Sequence, residues 1–120
     1  MTRKKILIVE DNEQNLYLST FLLEKQGYDV VQARNGQQGL DMAASEHPDL
    51  ILLDIQLPVM NGYEVARRLK EDQKTRSIPI IAVTSYAMAG DRESILAAGC
   101  EGYIEKPIDP DRFVEQVKGF

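Results

Sequence analysis

Tryptophan is absent, histidine and cysteine occur once each, and no apolar run among the 120 residues approaches the roughly 20 needed to cross a bilayer. The single thiol, Cys100, has no internal partner, so the chain suits a reducing compartment and the cytoplasm is the expected location. Within Ala97-Ala98-Gly99-Cys100 no basic neighbour lowers the thiol pKa, and a small buried hydrophobe is expected. His47 precedes Pro48 in a connector and reads as an exposed loop residue. No secretory signal is expected, because Met1-Thr2-Arg3-Lys4-Lys5 leads into only four apolar residues before two acids. Basic runs are missing too. The net charge is −5, and the lysines and arginines are scattered or sit beside acids, as in Arg67-Arg68-Leu69-Lys70-Glu71-Asp72. Binding to a phosphate backbone usually needs a basic face, so nucleic acid is not an expected partner, and neither is a membrane.

What remains is ordinary globular composition, 43% apolar and 28% charged. That is enough for one core without disulfides or metals and too short for a second domain, so residues 1–120 are expected to form a single unit. Three apolar runs each end in a polar residue: Ile6-Leu7-Ile8-Val9 before Glu10-Asp11, Leu50-Ile51-Leu52-Leu53 before Asp54, and Ile80-Ile81-Ala82-Val83 before Thr84. A fourth, weaker run, Tyr103-Ile104, precedes Glu105-Lys106.

Between the runs lie helical patterns. Asn15 to Gln26 carries Leu18, Phe21 and Leu22 at helical spacing and can close at Gly27; a short strand, Asp29 to Ala33, ends at Asn35-Gly36. Gln37 to Ser45 presents Leu40, Ala43 and Ala44 on one face, and Pro48 stops it. A third helix runs from Gly62 through Val65, Ala66 and Leu69. Asp91 to Ala98 is helical with Ile95 and Leu96 inward and Gly99 as its cap. A last helix is expected to start at Asp109-Pro110, cap residue then proline, with Phe113, Val114 and Val117 on its apolar side. Five βα units with wholly apolar strands predict a flavodoxin-like, doubly wound α/β layer, a five-stranded parallel sheet in the order 2-1-3-4-5.

In such a sheet the polar strand ends converge at the carboxyl edge, where ligands bind. Glu10, Asp11 and Asp54 would meet there, and hard oxygen donors in that number suit Mg²⁺. The bland alternative is that each acid merely caps the helix that follows it. Asp54, the innermost acid, follows four apolar residues. A carboxylate beside a divalent cation can attack an activated phosphoryl group and form an acyl phosphate. A hydroxyl and an ammonium group for the phosphoryl oxygens would come from Thr84 and Lys106.

These residues together resemble the receiver domain of two-component response regulators. The likeness runs from Ile6-Leu7-Ile8-Val9-Glu10-Asp11 through Asp54-Ile55-Gln56-Leu57-Pro58-Val59-Met60-Asn61-Gly62 and Val83-Thr84 to Lys106-Pro107. It implies that Asp54 is the phosphoacceptor, that Asp11, Asp54 and the backbone carbonyl of Gln56 hold Mg²⁺, and that Glu10 joins through water. It also implies that Thr84 and Lys106 contact the phosphoryl oxygens and that Lys106-Pro107 is a cis peptide. Thr84 and Tyr103 would be the switch residues, altering the face made by the fourth helix, fifth strand and fifth helix. The donor would be a phosphohistidine on a sensor histidine kinase or phosphotransfer protein, docking near Asn15, Leu16 and Ser19, and the output contact with a downstream protein. Two departures stand out: Glu10 replaces an aspartate found in many members, and Gln56 and Tyr86 are bulky side chains beside the water path, which implies a long-lived phosphoryl group.

The stretch Ala82-Val83-Thr84-Ser85-Tyr86-Ala87-Met88-Ala89-Gly90-Asp91 resembles stand-alone regulators of the cell-cycle type and receivers of hybrid kinases alike. A stand-alone regulator, monomeric or a weak phosphorylation-linked dimer, is expected, with a fragment of a larger regulator or hybrid kinase as the alternative. A hydrolase of the haloacid-dehalogenase type would need a second acid two residues after its nucleophile, and Gln56 stands there. A flavin carrier would need a phosphate loop where Glu10 and Asp11 lie.

Overall fold

Five parallel strands carry the fold: β1 (Lys5–Val9), β2 (Asp29–Ala33), β3 (Leu50–Asp54), β4 (Ile80–Thr84) and β5 (Gly102–Glu105), side by side in the order β2-β1-β3-β4-β5. The computed structural model describes residues 3–86 and 88–120. Five helices alternate with the strands: α1 (Glu13–Lys25), α2 (Gly36–Glu46), α3 (Gly62–Glu71), α4 (Ala89–Ala97) and α5 (Phe113–Lys118). This is the flavodoxin-like order that the sequence predicts.

The chain runs outward from β1 to β2, then reverses over β1 to β3 and continues to β4 and β5. With right-handed crossovers that reversal puts α1 on one face and α2, α3 and α4 on the other. The two cores follow. Leu7, Val9, Ile51, Leu53, Ile80 and Ala82 pack with Ala43, Val65, Ala66, Leu69 and Ile95. Ile6, Ile8, Leu52, Ile81, Val83 and Ile104 pack with Leu16 and Leu23 of α1 and Phe113 and Val117 of α5. Alternate residues of each strand feed opposite cores, so the central strands have to be apolar throughout.

The first three helix starts on the carboxyl side share one device, which α4 and α5 lack. Asn12, Asn35 and Asn61 cap α1, α2 and α3, their side-chain oxygens accepting from the amides of Asn15, Gln38 and Glu64 at 2.9, 2.9 and 3.1 Å. At the other end of α4, Gly99 takes φ +102, which a side chain would resist, and its amide donates to the Leu96 carbonyl while that of Cys100 reaches Ile95.

The helices depart from expectation in three places. The buried stripe of α1 is Leu16, Ser19 and Leu23, and Phe21 is exposed. Capping by Asn12 starts α1 at Glu13 instead of Asn15. In α4 Ile95 is buried but Leu96 is 57% exposed, because adjacent helical positions point about 100° apart and the sheet covers only one of them. Finally, α5 starts at Phe113, not at Pro110. The Asp109 side chain accepts from the Asp111 amide at 3.0 Å, an Asx turn, and its carbonyl takes the amides of Arg112 and Phe113 before the helix begins.

Candidate functional site

Pairing of β1 with β3 sets Val9 beside Leu53, so Glu10 and Asp54 emerge together at the point where the sheet order reverses. Pairing of β3 with β4 sets Asp54 beside Val83, one residue before Thr84, and β5 brings Glu105 beside Thr84. Lys106 then follows with its amide on the Thr84 carbonyl at 2.8 Å. Four strand ends therefore supply one site.

Glu10, Asp54 and Thr84 are buried and Asp11 is exposed. A carboxylate oxygen from each of Glu10, Asp11 and Asp54 lies within 4.8 Å of the others. Lys106 reaches in from β5, its Nζ 3.1 Å from Asp54 Oδ2 and 3.3 Å from Glu10 Oε1. The peptide between Lys106 and Pro107 is cis. Asp54 Oδ1 accepts from the Gln56 amide at 2.9 Å, and Glu10 Oε2 from the Asn12 amide at 3.2 Å.

Two buried acids share a single ammonium group, which leaves negative charge in excess. Burial and then Asp54 beside it push the Glu10 carboxyl up to about 7, with the Asn12 amide and Lys106 pulling the other way. A divalent cation would remove that stress, and three hard oxygen donors match what Mg²⁺ takes.

Gly62 gives the site its close packing. A Cβ at Gly62 would lie 2.5 Å from the Asp54 carbonyl oxygen and from Ile55 Cα, so α3 can start against the end of β3 only with glycine there. The Gly62 amide donates to the Ile55 carbonyl at 3.0 Å.

Thr84 Oγ1 is engaged with its own loop, accepting from the Tyr86 amide at 3.0 Å and lying 3.3 Å from the Tyr86 carbonyl. Tyr103 is half buried on β5, with the Arg92 guanidinium 5.4 Å from its ring centroid. Gln56 and Tyr86 are both exposed. Leu16 and Ser19, expected to meet a partner, are buried, and the outward face of α1 carries Tyr17 and Phe21 instead, their rings stacked at 6.3 Å. Residues i and i+4 on the solvent side of α1 give that pairing; the sequence pattern places Phe21 on the apolar face and gives Tyr17 no role.

Cys100 is buried, its thiol pushed up to about 12 mainly by burial, which makes it a packing residue. His47 is exposed, at the C-terminal end of α2. A concavity of about 480 Å³ lies at the opposite edge of the sheet, lined by Lys4, Tyr28, Asp49 and Phe120 among others, away from the acids. The hollow between Glu10, Asp54 and Phe113 is only about 10 Å³, room for a water and not for an organic substrate. None of the helices of the described residues is long and apolar enough to cross a membrane.

Comparison with known proteins agrees with this geometry. The model of the response regulator receiver domain matches residues 6–118. The chain is 51% identical over 117 residues to the polar-differentiation response regulator DivK of Brucella ovis, covering 98% of this chain and 95% of that one. Among solved structures, the chemotaxis response regulator CheY4 of Vibrio cholerae is 25% identical with a TM-score of 0.93, covering 98% of both chains. The receiver domain of a sensor histidine kinase from Pseudomonas aeruginosa PAO1, with a magnesium ion coordinated in its active site cleft, is 35% identical with a TM-score of 0.88, covering 98% and 97%.

Proposed function

The chain belongs to the response regulator receiver domain family, and from that premise we propose that Asp54 is its phosphoacceptor. Receiver domains bind Mg²⁺ in their acidic site, are phosphorylated by histidine kinases and act as signalling switches on downstream targets. Here the reading is carried by one observation, the buried Asp54 carboxylate at a strand end with Lys106 Nζ at 3.1 Å and two further acids within 4.8 Å.

Glu10, Asp11, Asp54 and the Gln56 backbone carbonyl would hold Mg²⁺, with Glu10 reaching it through water. The cation's contribution when bound is to offset repulsion between the Asp54 carboxylate and an incoming phosphoryl group. An Asp54 oxygen attacks phosphorus, the P–N bond of a phosphohistidine breaks with its electron pair leaving on the imidazole nitrogen, and an acyl phosphate remains on Asp54. With a small acyl phosphate as donor the P–O bond breaks instead. Lys106 then pairs with a phosphoryl oxygen, and the Thr84 hydroxyl donates to another after leaving Tyr86. The protein is not an enzyme for an external substrate in this account; it catalyses only its own phosphorylation and dephosphorylation.

Thr84 and Tyr103 are proposed as the switch, biasing the α4-β5-α5 face toward a downstream protein. That face already exposes Leu96, and Tyr86 and Met88 are exposed in the loop before α4. The donor kinase or phosphotransfer protein is proposed to meet α1 through Tyr17 and Phe21, with the chain acting in the cytoplasm as one receiver unit. Intact-protein mass after incubation with acetyl phosphate tests the reading. The wild type should gain one labile phosphoryl group only with Mg²⁺ present, and Asp54→Asn should gain none; a gain in Asp54→Asn would overturn it.

A further inference from the structure

We propose that the Gln56 side chain is a latch on the β4–α4 loop, and that it governs how readily Asp54 takes a phosphoryl group. The inference rests on Asp54 being the phosphoacceptor. Gln56 touches both parts of the device. Its amide donates to Asp54 Oδ1 at 2.9 Å, and its side-chain Oε1 accepts from the Ser85 amide at 3.0 Å, joining the loop after β3 to the loop after β4.

The residues on either side of Ser85 are tied to each other. Thr84 Oγ1 accepts from the Tyr86 amide at 3.0 Å and lies within donating distance, 3.3 Å, of the Tyr86 carbonyl. A hydroxyl has one proton to give. While that proton serves Tyr86 it cannot serve an oxygen on Asp54, so donation to a phosphoryl group requires the Thr84 hydroxyl to leave Tyr86, which loosens the turn over residues 84–86. Ser85 sits in the middle of that segment, and Gln56 pins it. A Gln56 bond that holds Ser85 in place opposes that loosening, so Gln56 acts as a positioning residue that favours the resting loop.

Side-chain length matters to this role. Asparagine would fall one methylene short of Ser85, and a methionine would match glutamine in bulk while offering no oxygen. Both Gln56 and Ser85 are exposed, so water competes for the bond and its weight lies at the low end for a hydrogen bond. The same exposure means that the variants should fold.

The test compares wild type, Gln56→Met and Gln56→Ala, each of which keeps the backbone carbonyl at position 56. Two readouts are followed: the rate of phosphorylation by acetyl phosphate, and hydrogen exchange at the Ser85 amide by NMR in the unphosphorylated protein. Both variants should phosphorylate about twofold to fivefold faster, the weight of one water-competed hydrogen bond, and should exchange the Ser85 amide faster. Agreement between Gln56→Met and Gln56→Ala separates the latch from a steric role, since methionine keeps the bulk. A wild-type rate in Gln56→Met overturns the latch, whether or not the Ser85 amide changes. If the wild type takes up no phosphoryl group, the phosphoacceptor assignment fails as well; if it does and Gln56→Met matches it, the latch alone fails.

Discussion

Lys106 offsets two buried carboxylates with one charge, lying 3.1 Å from Asp54 Oδ2 and 3.3 Å from Glu10 Oε1. Removing it leaves both acids without their cation, and breaking a buried pair from one side costs more than the pair itself contributes. Lys106→Met is therefore expected to lose about 3 kcal/mol of stability in the metal-free protein and to regain much of it with Mg²⁺. Urea unfolding with EDTA and then with Mg²⁺ measures both. The same variant should also slow phosphorylation by acetyl phosphate, because no ammonium group is left for the phosphoryl oxygens.

The loop from Asp54 to Gly62 is the element on which the site depends. A Cβ at Gly62 would press on strand backbone, 2.5 Å from the Asp54 carbonyl oxygen and Ile55 Cα, and backbone cannot swing aside as a flexible side chain can. Gly62→Ala is expected to destabilise by about 2 kcal/mol or more. At Gly90, in the first turn of α4, a Cβ meets nothing within 4 Å, and Gly90→Ala should be neutral or stabilising by up to about 1 kcal/mol. Thermal unfolding of the pair tells a steric cause from a general loss of glycine.

Elements also differ in how much of them the sequence discloses. The central strands were legible because burial on both faces demands unbroken apolar runs, and a polar residue after such a run marks the sheet edge where Glu10, Asp54 and Thr84 meet. The Lys106-Pro107 cis peptide came from family resemblance and is present. Helix faces were less legible. Phe21 and Leu96 are large and apolar at spacings that fit a core, yet both are exposed, since the buried side of α1 runs through Leu16, Ser19 and Leu23 and that of α4 through Ile95. The side-chain bond from Gln56 to Ser85 joins residues 29 apart and leaves no local pattern to read.

Over the whole molecule the excess of buried negative charge should appear as a dependence of stability on pH. Glu10 has its folded pKa raised from 4.5 to about 7. Across that window the folded protein holds a proton that the unfolded chain has released, so it binds more protons than the unfolded chain. Stability of the metal-free protein should therefore fall as pH rises from 4.5 through about 7, where the burial cost of the charged form is felt in full. Glu10→Gln should flatten that slope, and Mg²⁺ should strengthen its stabilising effect as pH rises and the carboxylate becomes free to bind. Unfolding midpoints between pH 5 and 8, with EDTA or Mg²⁺, measure the slope; no difference between wild type and Glu10→Gln would remove Glu10 as its source.

The assignment of Asp54 is tested most directly by locating the phosphoryl group. Borohydride reduces an aspartyl phosphate to homoserine, which peptide mass spectrometry reads at single-residue resolution. After treatment with acetyl phosphate and Mg²⁺, homoserine should appear at position 54 and not at position 11, and Glu10 should not be reduced to its own alcohol, 5-hydroxynorvaline. Homoserine at position 11, or nowhere in a protein that has gained phosphoryl mass, would contradict the account.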